Sequence, residues 1–217
     1  MPIYSFPSVS GGKVMKSQVF TANGTFTPAT GVTEVYITAC GAGGGGGGGA
    51  YDGTSASDGG TGGVTSFGAL KTLSGGSGGE QGRASRGGNG GAGAGLGGCG
   101  GSGGGGGQYN MCDGGYGGSG LFNGPGVMIS MKYDSSDRFS SAPGCGGYGG
   151  FATIGNSGAG GGGGAGDFCI DYPLTVVPGT NYTITLGVGG TYGSRYGSLS
   201  SDGGIGGSGY MLIKWWE

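Results

Sequence analysis

The sequence lacks histidine altogether. Because histidine is the commonest general base and metal ligand, its absence excludes catalytic triads built on it. Carboxylates alone can serve a glycosidase, but the eleven acidic residues are scattered among glycine runs and loops. Asp134 with Asp137, and Asp167 with Asp171, could hold calcium, yet neither pair has a recognised calcium-binding spacing. We therefore expect no enzyme, no cofactor and no metal site.

Charge is also scarce, at 9% of the residues, with nine Lys and Arg against eleven Asp and Glu. A nucleic-acid-binding surface needs clustered positive charge to neutralise phosphates, and a chain with fewer basic than acidic residues does not indicate such a cluster. The triplet Arg86-Gly87-Gly88 occurs once, whereas RNA-binding segments of the RGG kind usually repeat it many times. Nucleic acid is therefore not an expected partner.

Long apolar runs and paired cysteines are missing too. No stretch approaches the roughly 18 apolar residues of a membrane span, so membrane insertion is not expected. Residues 1–10 have neither the basic start nor the apolar centre of a signal peptide. The five cysteines are odd in number and lack zinc-type pairs. We expect synthesis in a reducing cytoplasm and cysteines that act as small buried apolar residues, with one disulfide left open.

What the sequence has in abundance is glycine, which supplies 69 of its 217 residues. Collagen is excluded because the glycines form doublets and runs instead of occupying every third position, and proline is ordinary. Disorder is the serious alternative, with the glycine runs as flexible linkers. Disordered chains typically combine high net charge with few aromatic residues, whereas this chain has a net charge of −2 and 10% aromatic residues. An ordered glycine scaffold is favoured.

Apolar and polar residues alternate in several short segments, as in half-buried β-strands. In residues 33–40, Val35, Ile37 and Ala39 share one face. The other predicted strands are residues 17–20, 25–27, 64–70, 174–177, 182–188 and 209–216, with a further candidate at 127–133. No segment has a convincing helical stripe. The sequence predicts an all-β fold with a small antiparallel, jelly-roll-like β-sandwich and no α-helix.

Between these strands glycine follows a period of three. The intervening residues include Ser74, Ser77, Glu80, Arg83, Arg86, Asn89 and Ala92, and the spacing recurs at Asp58, Thr61, Val64 and at Cys145, Tyr148, Phe151. A polyproline-II-type helix has three residues per turn and no internal hydrogen bonds, so its backbone groups must bond to neighbouring helices. Only glycine lets backbones approach that closely. The phase predicts an inserted bundle of about ten polyglycine-II helices, with the third residue of each turn facing out, on the surface of the bundle or at its seam.

Tracing the chain between sandwich and bundle brings five turns to the far end of the bundle. They are residues 51–57, 80–86, 108–112, 151–156 and 191–200. Tyrosine, phenylalanine and arginine concentrate in them, and such residues dominate binding hot spots. The predicted binding residues are Tyr51, Arg83, Arg86, Tyr109, Phe151, Tyr192, Arg195 and Tyr196. The alternative is that the aromatic residues only cover the ends of the bundle.

Three stretches carry a resemblance to a known family: residues 19–45 (VFTANGTFTP, then GVTEVYITA, then GAGGG), 177–190 (VPGTNYTITLGVGG) and 209–215 (GYMLIKW). They resemble the glycine-rich tip domains of phage tail fibres over nearly all of residues 16–217, and segment 121–143 departs from that pattern. The resemblance implies a distal tail-fibre adhesin on the virion that recognises a bacterial outer-surface receptor, protein or glycan. It further implies attachment to the fibre shaft or another virion protein through residues 1–15, and leaves a homotrimer open.

Three other interpretations stay open at the level of sequence. The first is a structural virion protein, such as a fibre connector or a capsid decoration protein, without receptor binding. The second is the glycine-rich ectodomain region of certain receptor tyrosine kinases, although no signal peptide and no paired cysteines support it. The third is an ice-binding protein, which would need a flat, regular face of small residues. Glu80, Arg83, Tyr116 and Tyr148 at the outward positions do not provide such a face.

Overall fold

The computed structural model describes residues 12–51, 56–95, 100, 106–107, 112–121, 142–153 and 156–217. Over these residues the chain forms β-strands and no helix, so the all-β prediction is confirmed. The strands are β1 (Met15–Phe20), β2 (Gly24–Phe26), β3 (Glu34–Cys40), β4 (Thr65–Phe67), β5 (Lys71–Leu73), β6 (Gly106–Gly107), β7 (Ser157–Gly158), β8 (Phe168–Thr175), β9 (Tyr182–Thr185) and β10 (Tyr210–Trp216). Accordingly, no helix in the described part of the chain is long and apolar enough to cross a membrane.

Eight of these strands form two antiparallel sheets of four strands each. The first sheet has the order β1-β10-β3-β8, and the second has the order β2-β9-β4-β5. The short strands β6 and β7 pair separately. Neighbours in the first sheet are far apart in sequence, since β1 near the start of the chain pairs with β10 at its end. The two sheets therefore close only when the intervening glycine-rich chain has returned.

The two sheets share one apolar core, as expected of a β-sandwich. Val35, Ile37 and Ala39 of β3 are fully buried, which confirms the predicted face. The ring of Phe26 in the second sheet lies 5.2 Å from that of Trp215 in the first, in an edge-to-face arrangement. Other core residues are Phe20, Phe67, Leu73, Leu174, Ile184, Met211 and Ile213. Side chains from both sheets thus interdigitate between them.

Two strand predictions need correction. Residues 64–70 are not one strand: β4 ends at Phe67 and turns into β5, because Gly68 adopts a left-handed conformation (φ 48°) and the Leu70 N–H donates to the Phe67 carbonyl. The alternating pattern continued past the glycine and hid the turn. Strand β8 begins at Phe168, earlier than the predicted residue 174. Asp171 and Pro173 masked the strand, although an edge strand tolerates a proline.

A β-bulge in β8 determines the backbone conformation of Asp171 and the partners of its side chain. Ile37 pairs with Tyr172 and Ala39 with Cys169, so that two residues of β8 stand opposite Thr38 alone. Asp171 has a φ of 47° there, and its carboxylate accepts a hydrogen bond from Thr38 Oγ1 (3.1 Å) and pairs with Lys214 Nζ. These partners hold the pKa of Asp171 below its usual value. Its charge is therefore neutralised within the protein.

Outside the sandwich, segment 41–50 consists only of glycine and alanine and is buried along its whole length. Its backbone N–H groups donate to three neighbours in rotation, and every third residue returns to the same neighbour. Gly44 donates to Gly164 (2.8 Å) and Gly47 to Gly161 (2.9 Å), for example. The three accepting segments are 158–167, 57–63 and 201–207, and all run antiparallel to 41–50.

The carbonyl groups of segment 41–50 follow the same rule with three other neighbours. They accept from residues 76–82, 147–150 and 190–196, which run parallel to it. Segment 41–50 is thus surrounded by six glycine-rich segments, and all of its contacts with them are between backbones. A Cβ atom added at any residue from Gly43 to Gly49 would overlap a neighbouring carbonyl group. Glycine is required here because the neighbouring backbones occupy the space of a side chain.

The residues that recur every third position between glycines are exposed in some segments, as predicted, but not in all. Asp58, Thr61 and Val64 are exposed, and so are Ser74, Ser77, Glu80, Arg83, Arg86, Asn89 and Ala92. Cys145 is buried, however, while Tyr148 and Phe151 are half-buried. The ring of Tyr148 lies against Gly204, which leaves no room for a Cβ there. The outward prediction is wrong for this segment, because every third residue of it faces another glycine-rich segment, as Tyr148 faces Gly204.

Candidate functional site at the far end of the glycine-rich region

The glycine-rich segments have strands at one end and loops at the other. At the Gly41 end they continue into β4, β5, β8, β9 and β10. At the Ala50 end, Ala50 forms bridges with Gly158 and Tyr196, and Ala152 forms bridges with Cys112 and Ser200. We call this end the distal surface, and it comprises residues 50–51, 82–86, 112, 151–153, 156–158 and 196–200. Turns from five parts of the sequence meet there.

Two of the predicted tyrosines are adjacent on the distal surface. The Tyr51 N–H donates to the Tyr196 carbonyl (3.0 Å), and the Tyr196 N–H donates to the Gly49 carbonyl (3.0 Å). The Tyr51 side chain lies over Gly197, which has a φ of 90° that favours glycine. Tyr196 is 51% exposed, whereas Tyr51 is half-buried. The pair therefore offers an aromatic surface on a fixed backbone.

Arg195 belongs to the internal structure of its loop. Its N–H donates to Asp202 Oδ1 (2.9 Å), and its Nη1 donates to the Ser200 carbonyl (3.3 Å). Ser200 Oγ in turn donates to the Tyr196 carbonyl (2.7 Å). Both Arg195 and the neighbouring Tyr192 are half-buried. Arg195 therefore supports the conformation of loop 196–200 and does not project freely from it.

Phe151 is half-buried where two turns join. Its N–H donates to Ser201 Oγ (3.0 Å), and Thr153 Oγ1 donates to the Leu199 carbonyl (2.8 Å). Ser157 Oγ closes the turn by donating to the Thr153 carbonyl (2.6 Å). The remaining predicted residue, Tyr109, lies outside the described residues, as do parts of three predicted turns: 52–55, 108–111 and 154–155.

Arg83 and Arg86 form a separate feature, a two-residue hairpin. The Arg83 N–H donates to the Arg86 carbonyl (2.9 Å), and the Arg86 N–H donates to the Arg83 carbonyl (3.0 Å). Ser85 in the turn has a φ of 56°, and its hydroxyl donates to Asn156 Oδ1 on the adjoining loop. A Cβ at Gly158 would overlap both arginine carbonyls, so the hairpin packs directly on the glycine scaffold. Both arginine side chains are exposed.

A polar depression of about 190 Å³ lies beside this hairpin. It is lined by Glu80, Gln81, Arg83, Arg86, Gly87 and Asn89. Glu80 Oε2 accepts a hydrogen bond from Asn89 Nδ2 (2.7 Å), and the Gln81 N–H donates to Asp58 Oδ1 (2.8 Å). Sequence reasoning singled out the arginines but missed the depression. The spacing Arg-x-x-Arg across a turn was the available signal.

The described cysteines are buried or half-buried. Cys40, Cys112 and Cys145 are buried and Cys169 is half-buried, whereas Cys99 lies outside the described residues. Burial raises the pKa of the Cys40 thiol to about 12, and burial also raises that of Cys169. A buried, protonated thiol is a poor nucleophile and a poor metal ligand. The described residues contain no group of three or more His, Cys, Asp or Glu side chains that could hold a metal ion.

The arrangement therefore suits recognition: exposed tyrosine and arginine side chains project from turns that a buried backbone network holds in place. No protein-family model matches the chain, and no curated protein is significantly similar to it. The functional argument accordingly depends on the geometry of the distal surface.

Proposed function

We propose that the protein is a tail-fibre tip adhesin of a bacteriophage, which recognises a bacterial surface receptor through the distal surface. The observation that carries this proposal is the convergence of turns from five parts of the chain on the end opposite the sandwich. Rigid scaffolds that present loops are common recognition surfaces, because ordering a flexible loop would weaken binding. The proposal assigns the protein to the distal fibre of the virion and gives it no catalytic role.

The proposal includes an architecture. The glycine-rich segments are polyglycine-II helices packed in a bundle and inserted into a jelly-roll-like sandwich. Along segment 41–50, every third residue bonds to the same neighbouring segment. This supports the architecture, since polyproline-II-type helices have three residues per turn. The six neighbours of that segment support it as well, because six helices surround each helix in hexagonal packing. Such a bundle makes a stiff support for loops.

The opposite end suits attachment to a shaft. The Val14 N–H donates to the Glu217 carbonyl (2.7 Å), and the Glu217 N–H donates back to the Val14 carbonyl (3.1 Å). Both positions flank the sandwich, so a shaft joined through residues 1–15 would leave the distal surface open. Of that segment, residues 1–11 lie outside the described residues, and Met15 already belongs to β1. In this arrangement the partners are the shaft at one end and the receptor at the other, and a homotrimer remains compatible with both.

A structural virion protein is the second candidate, and one observation favours it. Large apolar side chains are exposed on and near the sandwich, among them Met15 (55%), Val19 (52%), Ile170 (63%) and Val177 (61%). Exposed apolar groups of this kind suit contact with another virion protein. They are equally required by an adhesin that joins a shaft. Only the adhesin, however, also binds bacteria through its other end.

Binding to cells tests the proposal. Fluorescently labelled protein would be mixed with a broad panel of bacterial strains, and labelling measured by flow cytometry. In strains that are labelled, Tyr196→Ala combined with Phe151→Ala should weaken binding at least about tenfold, as hot-spot truncations do. The matched control, Met15→Ser with Val19→Ser, changes two residues of the sandwich and should leave labelling unchanged. Absence of labelling across the panel, or loss caused only by the control, would contradict the adhesin proposal.

A further inference from the structure

The sandwich and the distal surface carry different basic residues. Among the described residues, all four lysines (Lys13, Lys16, Lys71, Lys214) lie in or beside the sandwich strands, and all three arginines (Arg83, Arg86, Arg195) lie at or next to the distal surface. Arginine presents a planar fork of donors that matches phosphate and carboxylate oxygens, whereas lysine is a point charge. Because Arg195 already bonds to a carbonyl of its own loop, Arg83 and Arg86 are the candidates for an external anion.

The hairpin holds Arg83 and Arg86 directly opposite each other. Residues that exchange both backbone hydrogen bonds have Cα atoms about 5.5 Å apart and side chains on the same side. Two like charges in such positions repel each other and destabilise the pair. The turn cannot relax easily, because the Ser85 hydroxyl is bonded to Asn156 and the hairpin carbonyls pack on Gly158. The fold therefore maintains a local concentration of positive charge.

Among the described residues, no acid forms an ion pair with Arg83 or Arg86. The ion pairs among the described residues are Lys16 with Glu217 and Lys214 with Asp171, both on the sandwich. Glu80, the one acid that lines the depression, is bonded to the neutral amide of Asn89 instead. Glu80 lines the depression and Asp58 accepts the Gln81 N–H at its wall, so two acids match the two arginines in number. Neither acid is paired with an arginine, so the donors of both exposed guanidinium groups are available to an external anion.

The size of the depression limits what that anion can be. Its volume of about 190 Å³ exceeds the roughly 30 Å³ that one water occupies. It is smaller than the roughly 300 Å³ at which pockets for whole small molecules begin. One charged group with part of the ring that carries it would fit. The amides of Gln81 and Asn89 supply further hydrogen-bonding groups at the wall.

We propose that this depression is an oxyanion subsite, in which Arg83 and Arg86 bind one phosphate or carboxylate group of an acidic surface glycan. The carrier follows from the proposed function, so this assignment rests on it. A shallow subsite binds a single group weakly, so a glycan that repeats its anionic group gains affinity when it engages several copies of the protein at once. Tyr51 and Tyr196 lie on the same distal surface, separated from the hairpin by Ala50 and Gly158.

Titration with small probes tests the subsite directly. The full chain at low salt would be titrated with glucose 1-phosphate, glucuronate, inorganic phosphate and neutral glucose, and binding followed by amide chemical shifts. Both sugar acids should bind and shift residues 80–89, and glucose should not. Arg83→Gln with Arg86→Gln should weaken binding at least about tenfold, because charge-assisted hydrogen bonds are the stronger ones. Arg83→Lys with Arg86→Lys should recover only part of the affinity, because the forked donors are lost.

The control removes the same charge from the other end. Lys13→Gln with Lys16→Gln should leave binding unchanged, and equal weakening by this pair would show a non-specific charge effect and overturn the subsite. Failure of the wild-type chain to bind either sugar acid would overturn it too. Binding of inorganic phosphate alone, or tighter binding of an oligo-aspartate peptide, would overturn the assignment to a glycan.

Cell labelling separates this inference from the adhesin proposal. If strains are labelled equally by the wild type and by the Arg83→Gln, Arg86→Gln variant, and no sugar acid binds, the adhesin stands and the subsite is wrong. If sugar acids bind but no strain is labelled, the subsite stands and the adhesin proposal is wrong. Loss of both labelling and sugar-acid binding in the glutamine variant supports both.

Discussion

Strand β3 and segment 41–50 are consecutive in the chain and both are buried, yet they have almost no side-chain chemistry in common. In β3 the buried residues are Val35, Ile37, Ala39 and Cys40, and the first three alternate with the half-exposed Tyr36 and Thr38. In segment 41–50 every residue is buried, and each is glycine or alanine. The first stretch removes apolar side chains from water, and the second removes its own backbone.

The two kinds of burial depend on different forces. Burying a large aliphatic side chain stabilises a fold by about 1.5–3 kcal/mol. A glycine contributes little of this and loses more backbone entropy on folding than any other residue. Its burial is tolerable only if each N–H and C=O finds a partner, since an unsatisfied buried group costs about 1–3 kcal/mol. The contacts of segment 41–50 meet this requirement through six neighbours. The glycine-rich region should therefore be intolerant of added atoms, and the sandwich intolerant of lost ones.

The largest expected effect is that of a side chain added to the central segment. Gly44→Val places a Cβ on the carbonyl of Ser77 and should prevent folding, at a cost of more than about 4 kcal/mol. The matched control is Ser77→Val, an equally bulky residue at an exposed position, which should change stability by less than about 0.5 kcal/mol. Thermal melts followed by circular dichroism compare them. Similar melting temperatures for the two variants would contradict the close approach of backbones.

A cavity in the sandwich should have the next largest effect. Ile37→Ala removes a fully buried side chain and should lower the free energy of unfolding by about 2–5 kcal/mol. Ile37→Val removes one methylene and should cost about 0.5–1.5 kcal/mol. Urea titrations measure both. A loss below that of the valine variant for Ile37→Ala would mean that the sandwich core contributes less than its burial indicates.

A smaller effect is expected at the sandwich surface, and it depends on pH. Lys214 and Thr38 lower the pKa of Asp171 in the folded state, so its ionised form stabilises the fold above the usual pKa of 3.8. That contribution should be lost as the pH falls through the lowered folded pKa. Asp171→Asn keeps a residue that tolerates the positive φ. Urea midpoints should favour the wild type at neutral pH and converge with the variant in acid. A difference that does not change with pH would contradict the assignment.

The smallest expected difference concerns hydrogen exchange in the two regions. Amides of segment 41–50 should exchange as slowly as those of β3, because all are buried and bonded to other backbones. The exposed outward positions Thr61 and Val64 should exchange faster. Mass spectrometry or NMR can measure this. Rapid exchange throughout residues 41–50 would support the alternative that the glycine runs are flexible linkers.

The sequence pattern predicted the parts of this fold that repeat. Alternation identified β3, and the period of three identified outward residues such as Glu80 and Arg86. It missed the turn at Gly68, because one left-handed residue within an alternating run leaves no mark on the pattern. It also placed Tyr148 outwards. Whether every third residue of a glycine-rich segment is exposed depends on how many other segments surround it. That number is a property of the assembled fold and not of the segment.

The candidate site was predictable in place but not in detail. Tracing how often the chain leaves the sandwich and returns to it assigned Tyr51, Arg83, Phe151 and Tyr196 to one end of the molecule. The structure has all four at that end. That Arg195 is engaged by its own loop and that Arg83 faces Arg86 depends on individual hydrogen bonds between residues distant in sequence or across a turn. No composition or spacing rule specifies such bonds.

The position of segment 41–50 also constrains how the chain can fold as it is synthesised. The segment donates hydrogen bonds to residues up to Gly207, which is synthesised more than 150 residues later. Its partners cannot be replaced by local ones, because it forms neither a helix nor a hairpin of its own. Long-range contacts of this kind make folding slow, since the entropy of loop closure is lost before the contacts form. The centre of the molecule is thus made before the segments that complete it, and a growing chain must keep it unpaired until Gly207 has been added.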